Sequence, residues 1–222
     1  MVAFDAEGWG AKLTGELQEL AFAPEGTPEV AGLWAERVVA NREQVDRFRE
    51  VPDAKDFYAP VRSMFRADPT RTDDPVLARL FDIVRPGDRW LDVGAGAGRF
   101  ALPIARSLAA SGGSVVAVDA SASMLGSAQE IAHEYDIRNV TTIHTRWPPD
   151  DAGALAMLVS DVVLIAHVGY DIEAIGPFVA ALEAAARREL VAVLMDASNR
   201  FDPDRLHQEA VLIAAKAGRS FQ

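Results

Sequence analysis

Residues 89–119 read RWLDVGAGAGRFALPIARSLAASGGSVVAVD, and the fold turns on how this stretch is parsed. Trp90, Leu91 and Val93 make a short apolar run that breaks at Gly94, Gly96 and Gly98, after which Phe100, Leu102, Ile104, Ala105 and Leu108 recur at helical spacing. The parse is strand, tight glycine turn, helix. Gly112 and Gly113 end the helix, and Ser114 to Val118 form a second strand, apolar on both faces as in a sheet covered on both sides. Asp119 closes that strand.

Glycines can take positive φ and present no Cβ, so backbone between Gly94 and Gly98 can turn sharply and touch a ligand through bare peptide groups. The first N–H groups of the next helix lack partners within it, which favours a negatively charged group there. Pro103, near the start of that helix, costs little at that position. Asp119 stands at the carboxyl end of its strand, where open α/β sheets bind ligands, and its two oxygens can accept from two ribose hydroxyls. A nucleoside ligand follows. A dinucleotide fingerprint would put its third glycine at position 99, but that residue is Arg99, and Asp119 lies 25 residues after Gly94 against the roughly 20 typical of that site. A phosphate P-loop also fails, because no Gly-Lys-Ser/Thr follows.

The pair LDVGAGAGRFALPIA and VVAVDASASML closely resembles the first two motifs of class I S-adenosylmethionine-dependent methyltransferases, and the resemblance runs from about Asp74 to Asp196. It implies S-adenosylmethionine as cofactor and S-adenosylhomocysteine as product. The cofactor-binding positions it implies are Asp92, Gly94, Ala95, Gly96, Gly98, Asp119, Ala120 and Met124. Many members carry an acid after the third strand that accepts from the adenine amino group; Arg146 and Trp147 stand at that place here, and arginine cannot accept. Trp147 offers either an apolar face for adenine or a cover for the sheet edge. His167 follows the fourth strand, Asp161–Ala166, where the family places residues facing the methyl group; Tyr170 and Asp171 are further candidates. His167 can serve as a general base, as pocket wall, or purely in structure. The Asn/Asp-Pro-Pro-Tyr/Phe motif of enzymes that methylate amino groups of nucleobases or glutamine is absent.

Composition narrows the partners. With 22 basic against 33 acidic residues the net charge is −11, which disfavours a polyanionic partner such as nucleic acid. There are no cysteines, so neither disulfides nor a thiolate zinc site can form, and His133, His144 and His207 lack metal-ligand spacing. The opening MVAFDAEGWG has no signal-peptide pattern and no apolar run approaches the length of a membrane span, so a cytoplasmic protein is expected.

Residues 1–70 read as a helical extension and 71–222 as the cofactor-binding core. Thr27 and Pro28 signal the start of a long amphipathic helix, about 28–49, with Val30, Leu33, Trp34, Val38, Val45 and Phe48 on one face. Phe57, Tyr58, Val61, Met64 and Phe65 suggest a shorter helix. Such stripes ordinarily bury in a core; the family resemblance implies instead a lid over the cofactor, with Tyr58 its contact. Asp74 and Pro75 begin a helix at 75–84, and Ser121 or Ser123 caps one carrying Met124, Leu125, Ala128, Ile131 and Tyr135. Val140–His144 is the third strand, Pro177 opens a helix, and Leu190–Met195 is the fifth strand.

The resulting expectation is a doubly wound, Rossmann-like α/β sheet of order 3-2-1-4-5 with an N-terminal helical cap. Asp202 and Pro203 then predict a helix to about Ala217, so the family's terminal strands six and seven look missing and the LVAVLM strand would be left as an open edge. Either the chain is a shortened form, or the last helix or a second subunit shields that strand, hence a possible homodimer. The activity expected is methyl transfer to a small-molecule acceptor, against two rivals: a cofactor-binding module without catalysis, and a nicotinamide-dependent oxidoreductase.

Overall fold

The structure is a computed structural model, and it describes residues 32, 34–36, 38–39, 56, 58–170, 172–195 and 209–215. The chain divides into two compact units, one of Met1–Pro52 with Gly169–Ala181, the other of Asp53–Val168 with Leu182–Gln222. In the first unit the described residues between 32 and 39 are helical, as the periodicity there predicts, and Val38 is buried. The Trp34 indole donates to the Ile172 carbonyl at 2.7 Å, tying the two segments of that unit. The remainder of the helix expected at 28–49 lies outside the described residues, as do Phe57 and Asp171.

In the second unit the shorter helix expected here is a 3₁₀ helix, Ala59–Phe65. None of its residues is buried: Met64 is 80% exposed and Phe65 47%, which corrects the core reading of that stripe. Pro60 lacks an N–H to donate, and i→i+3 closure suits a run this short. The element order continues as α1 (Pro75–Phe81), β1 (Arg89–Val93), α2 (Ala101–Leu108), β2 (Ser114–Asp119), α3 (Ala122–Glu134), β3 (Val140–His144), α4 (Ala152–Met157), β4 (Ser160–Ala166), α5 (Ile175–Ala185), β5 (Ala186–Met195) and β6 (Glu209–Ala215). Local chemistry places these ends. The Asp74 carboxylate accepts from Val76 and Leu77 N–H, both at 3.0 Å, and starts α1. Burial pushes that carboxyl up, but the Leu77 N–H and the Arg71 and Arg99 guanidinia hold it below its ordinary value. Ser121 Oγ accepts from Met124 N–H at 3.2 Å and starts α3.

Among the described residues the sheet runs β3-β2-β1-β4-β5-β6, the first five strands parallel and in the order expected. Trp90, Leu91, Val115, Ala117, Val162 and Leu164 are fully or almost fully buried within it, and Leu102, Ile104 and Leu108 of α2 and Leu77 and Leu80 of α1 join them in the core. This is why β1, β2 and β4 read as continuous apolar runs.

The end of the sheet departs from expectation. Glu209–Ala215 is a strand, antiparallel to β5 from Met195↔Glu209 to Glu189↔Ala215, where a helix to Ala217 was predicted. One of the two terminal strands thought missing is therefore present, and it covers the β5 edge, so no second subunit is needed for that purpose. Asp202 and Pro203 lie outside the described residues, and Val211, Leu212 and Ile213 form an apolar run too short for periodicity to tell strand from helix. The unpaired N–H and C=O groups of β5 decide between them, because pairing satisfies a row of backbone groups that a helix would leave open.

Candidate active site

The strand order reverses on either side of β1, which pairs with both β2 and β4, and ligands of open α/β sheets bind beyond the carboxyl ends at such a reversal. Here the turn after β1, Asp119 at the end of β2 and His167 just after β4 come together. Gly94, Gly96 and Gly98 have φ of 75°, 55° and 85°, in the left-handed region. At Gly94 a close approach adds to the torsion, since a Cβ there would lie 2.2 Å from Val168 Cγ2.

The hydrogen bonds of the turn correct one expectation. Gly94 and Ala95 N–H both donate to the Val118 carbonyl, at 2.7 and 3.1 Å, Gly98 N–H donates to the Ala95 carbonyl at 2.9 Å, and Gly96 N–H donates to Asp119 Oδ2 at 2.8 Å. These four N–H groups are used inside the fold, and the room the glycines leave is taken by Val168 beside Gly94, Met124 beside Gly96 and Leu102 beside Gly98. Asp119 Oδ1 accepts from Ser121 N–H at 2.7 Å. The two bonds fix the carboxylate's orientation, and each oxygen keeps acceptor capacity for a further donor.

Asp92, within β1, is 3% exposed. Its carboxyl accepts from the Ala101 N–H at the start of α2, while Oδ1 is buried with no hydrogen-bond partner. Burial pushes Asp92 up to about 7, and the neighbouring Asp119 charge pushes the same way. A carboxyl thus occupies the helix N-terminus where the sequence reading would place a ligand's anionic group. With two carboxyls facing one turn, the local chemistry is complementary to a cation.

The remaining expected residues fall as follows. Met124 is buried, with its methyl 3.3 Å from where a Gly96 Cβ would stand, so it packs on the turn. Ala120 is exposed and its carbonyl lies 3.0 Å from His144 Nε2. Arg146 is exposed; Trp147 is partly buried, with its indole Nε1 buried and unpartnered. His167 has φ 57°, rare for a residue other than glycine, and its N–H donates to the Val193 carbonyl at 2.9 Å. Tyr170 belongs to the first unit. Tyr58 is 41% exposed and stacks edge-on to Phe65 at 5.7 Å.

Sequence reasoning missed two participants. Val168 has no signal beyond following His167. Asp56 gives none either: only folding brings it to Ser121 Oγ at 2.8 Å and Ser123 N–H at 2.9 Å, 65 and 67 residues away.

A turn built of glycine and alanine after the first strand, an acid ending the second and a buried carboxyl in the first thus lie together at the carboxyl end of the sheet. Residues 91–170 match the family model described as methyltransferase domain. The matched stretch contains the glycine turn, Asp119 and His167. No curated protein sequence matches the chain. Solved structures similar to it include a SAM-dependent O-methyltransferase from Thermotoga maritima, at 15% identity over 69% of this chain and 69% of that one, with a TM-score of 0.49. Magnesium protoporphyrin IX methyltransferase from Synechocystis with bound SAM is 24% identical over 73% and 75% of the two chains, TM-score 0.45. A SAM-dependent methyltransferase from Aquifex aeolicus is 21% identical over 58% and 73%, TM-score 0.45.

Proposed function

We propose that the domain is a working methyltransferase that uses S-adenosylmethionine to methylate a small-molecule acceptor. The observation that carries this reading is Asp92: a buried carboxyl with one unpartnered oxygen, beside a second carboxylate, next to a turn of glycine and alanine. A pyrophosphate brought to this turn would find the Gly94, Ala95, Gly96 and Gly98 N–H groups already used and the Asp92 carboxyl at the helix start, whereas an ionised Asp92 suits a ligand bearing a sulfonium and an ammonium. This disfavours the nicotinamide reading. When bound, the cofactor supplies an electrophilic methyl group.

The chain's own residues supply the rest. Asp119 accepts from the ribose hydroxyls, Asp92 balances the ligand's positive charge, and Trp147 offers adenine an apolar face with an indole N–H to donate. Met124 and Val168 close apolar surface around the turn and keep water from it. His167 faces the acceptor, and it takes a proton where the nucleophile must lose one. Absent terminal strands would favour the non-catalytic alternative, and β6 supplies one of them. Among the described residues no group of acids and histidines is placed to hold a metal, and no helix is long and apolar enough to cross a membrane.

Release of S-adenosylhomocysteine in a panel of small oxygen, nitrogen and carbon acceptors tests the reading. Turnover that is lost in Asp119→Ala is the expected result; binding of cofactor with no turnover on any acceptor class would favour the module without catalysis.

A further inference from the structure

We propose that Asp56 is a positioning residue for the cofactor site, acting through Ser121 on Asp119; the inference rests on the cofactor reading of that site. Asp56 is remote in sequence, yet its carboxylate lies at the centre of a set of donors. Ser121 Oγ donates to it, 2.8 Å from Oδ1 and 3.0 Å from Oδ2, Ser123 N–H at 2.9 Å, and Tyr58 N–H at 3.1 Å. Burial pushes this carboxyl up, but the bonds from the Ser123 backbone, the two serine hydroxyls and Tyr58 outweigh it and hold Asp56 below its ordinary value. It is ionised at neutral pH.

An ionised Asp56 can only accept, so it fixes the direction of the Ser121 hydroxyl proton. That proton points at Asp56, which leaves the hydroxyl's lone pairs for the Met124 N–H it caps at 3.2 Å. With Ser121 held from both sides, its N–H is aimed at Asp119 Oδ1 at 2.7 Å, and Gly96 N–H holds Oδ2 at 2.8 Å. A continuous chain of hydrogen bonds therefore runs from the Tyr58 backbone through Asp56, Ser121 and Asp119 to the glycine turn. The 3₁₀ helix that follows Tyr58 is held on α3 by two exposed ion pairs, Arg62 with Glu130 and Arg66 with Glu134. Those pairs contribute little. The Asp56 bonds link the Tyr58 backbone to the start of α3 and so to Asp119.

A double-mutant cycle with S-adenosylhomocysteine separates positioning from simple helix capping. Asp56→Ala is expected to weaken binding about fivefold in the native background but less than about twofold when Asp119 is already alanine, since a residue acting through Asp119 loses its lever there. Equal fold-losses in both backgrounds would overturn the proposal. Amide exchange in the ligand-free protein gives an independent reading: Asp56→Ala, or the milder Asp56→Asn, speeds exchange at Ser121 and at Gly96, and an unchanged Gly96 rate overturns the proposal whatever the ligand does. Should native protein fail to bind S-adenosylhomocysteine, the cofactor reading falls, while the exchange measurement still decides the role of Asp56.

Discussion

Replacing Asp92 with asparagine probes the site's charge directly. Asn keeps the shape and an acceptor for the Ala101 N–H but cannot ionise. In the folded native protein the carboxyl is raised from 3.8 to about 7, chiefly by burial and secondarily by Asp119. The folded state therefore holds a proton that the unfolded chain has released between these two values, and native stability falls as pH rises through that window. Above both values the cost amounts to up to about 4 kcal/mol, at roughly 1.36 kcal/mol for each pH unit that separates them. Asparagine does not titrate and carries no such cost. Urea unfolding followed by circular dichroism should show Asp92→Asn gaining on the native protein as pH rises, the gap opening by about 3 kcal/mol between pH 5 and pH 8. Parallel stability curves for the two proteins would refute the reasoning. Cofactor affinity should move the opposite way, because a bound cation favours the ionised carboxyl. S-adenosylmethionine should bind more tightly to the native protein as pH rises through neutrality, releasing a proton, and Asp92→Asn should abolish that dependence.

Asp119→Ala removes both acceptors for the ribose; at roughly 1.5 to 3 kcal/mol for a hydrogen bond to a charged group, calorimetry should show at least about tenfold weaker cofactor binding. Gly94→Ala sets a Cβ 2.2 Å from Val168 Cγ2 at φ 75°, so it should lower the melting temperature and abolish binding, and adding Val168→Ala should restore part of the stability but not the torsional share. Leu164→Ala, at a fully buried position of β4, should cost about 2 to 5 kcal/mol in chemical denaturation. Removing residues after Met195 uncovers the β5 edge that β6 pairs with, and light scattering should then report association that the full chain does not show.

The inner strands β1, β2 and β4 were legible because burial on both faces leaves mostly apolar residues in them, and the strand order followed from the family resemblance. Asp74 and Ser121 were legible as caps because capping is local. β6 was not, since the groups that select strand over helix at Val211–Ile213 lie on β5, in another part of the chain. The exposed 3₁₀ helix was misread because an apolar stripe states a period and not a partner. At the site, glycines and Asp119 stood out by spacing. The use of their N–H groups inside the fold, the unpartnered oxygen of Asp92 and the Asp56 contact are three-dimensional facts with no spacing to announce them.

The central claim is that the glycine turn, flanked by Asp92 and Asp119, holds an adenosyl sulfonium. Isothermal calorimetry of the full chain with S-adenosylmethionine, S-adenosylhomocysteine and NADH tests it most directly. Saturable heats with the first two and none with NADH are predicted; silence with both adenosyl ligands, or tight binding of NADH, would contradict the account.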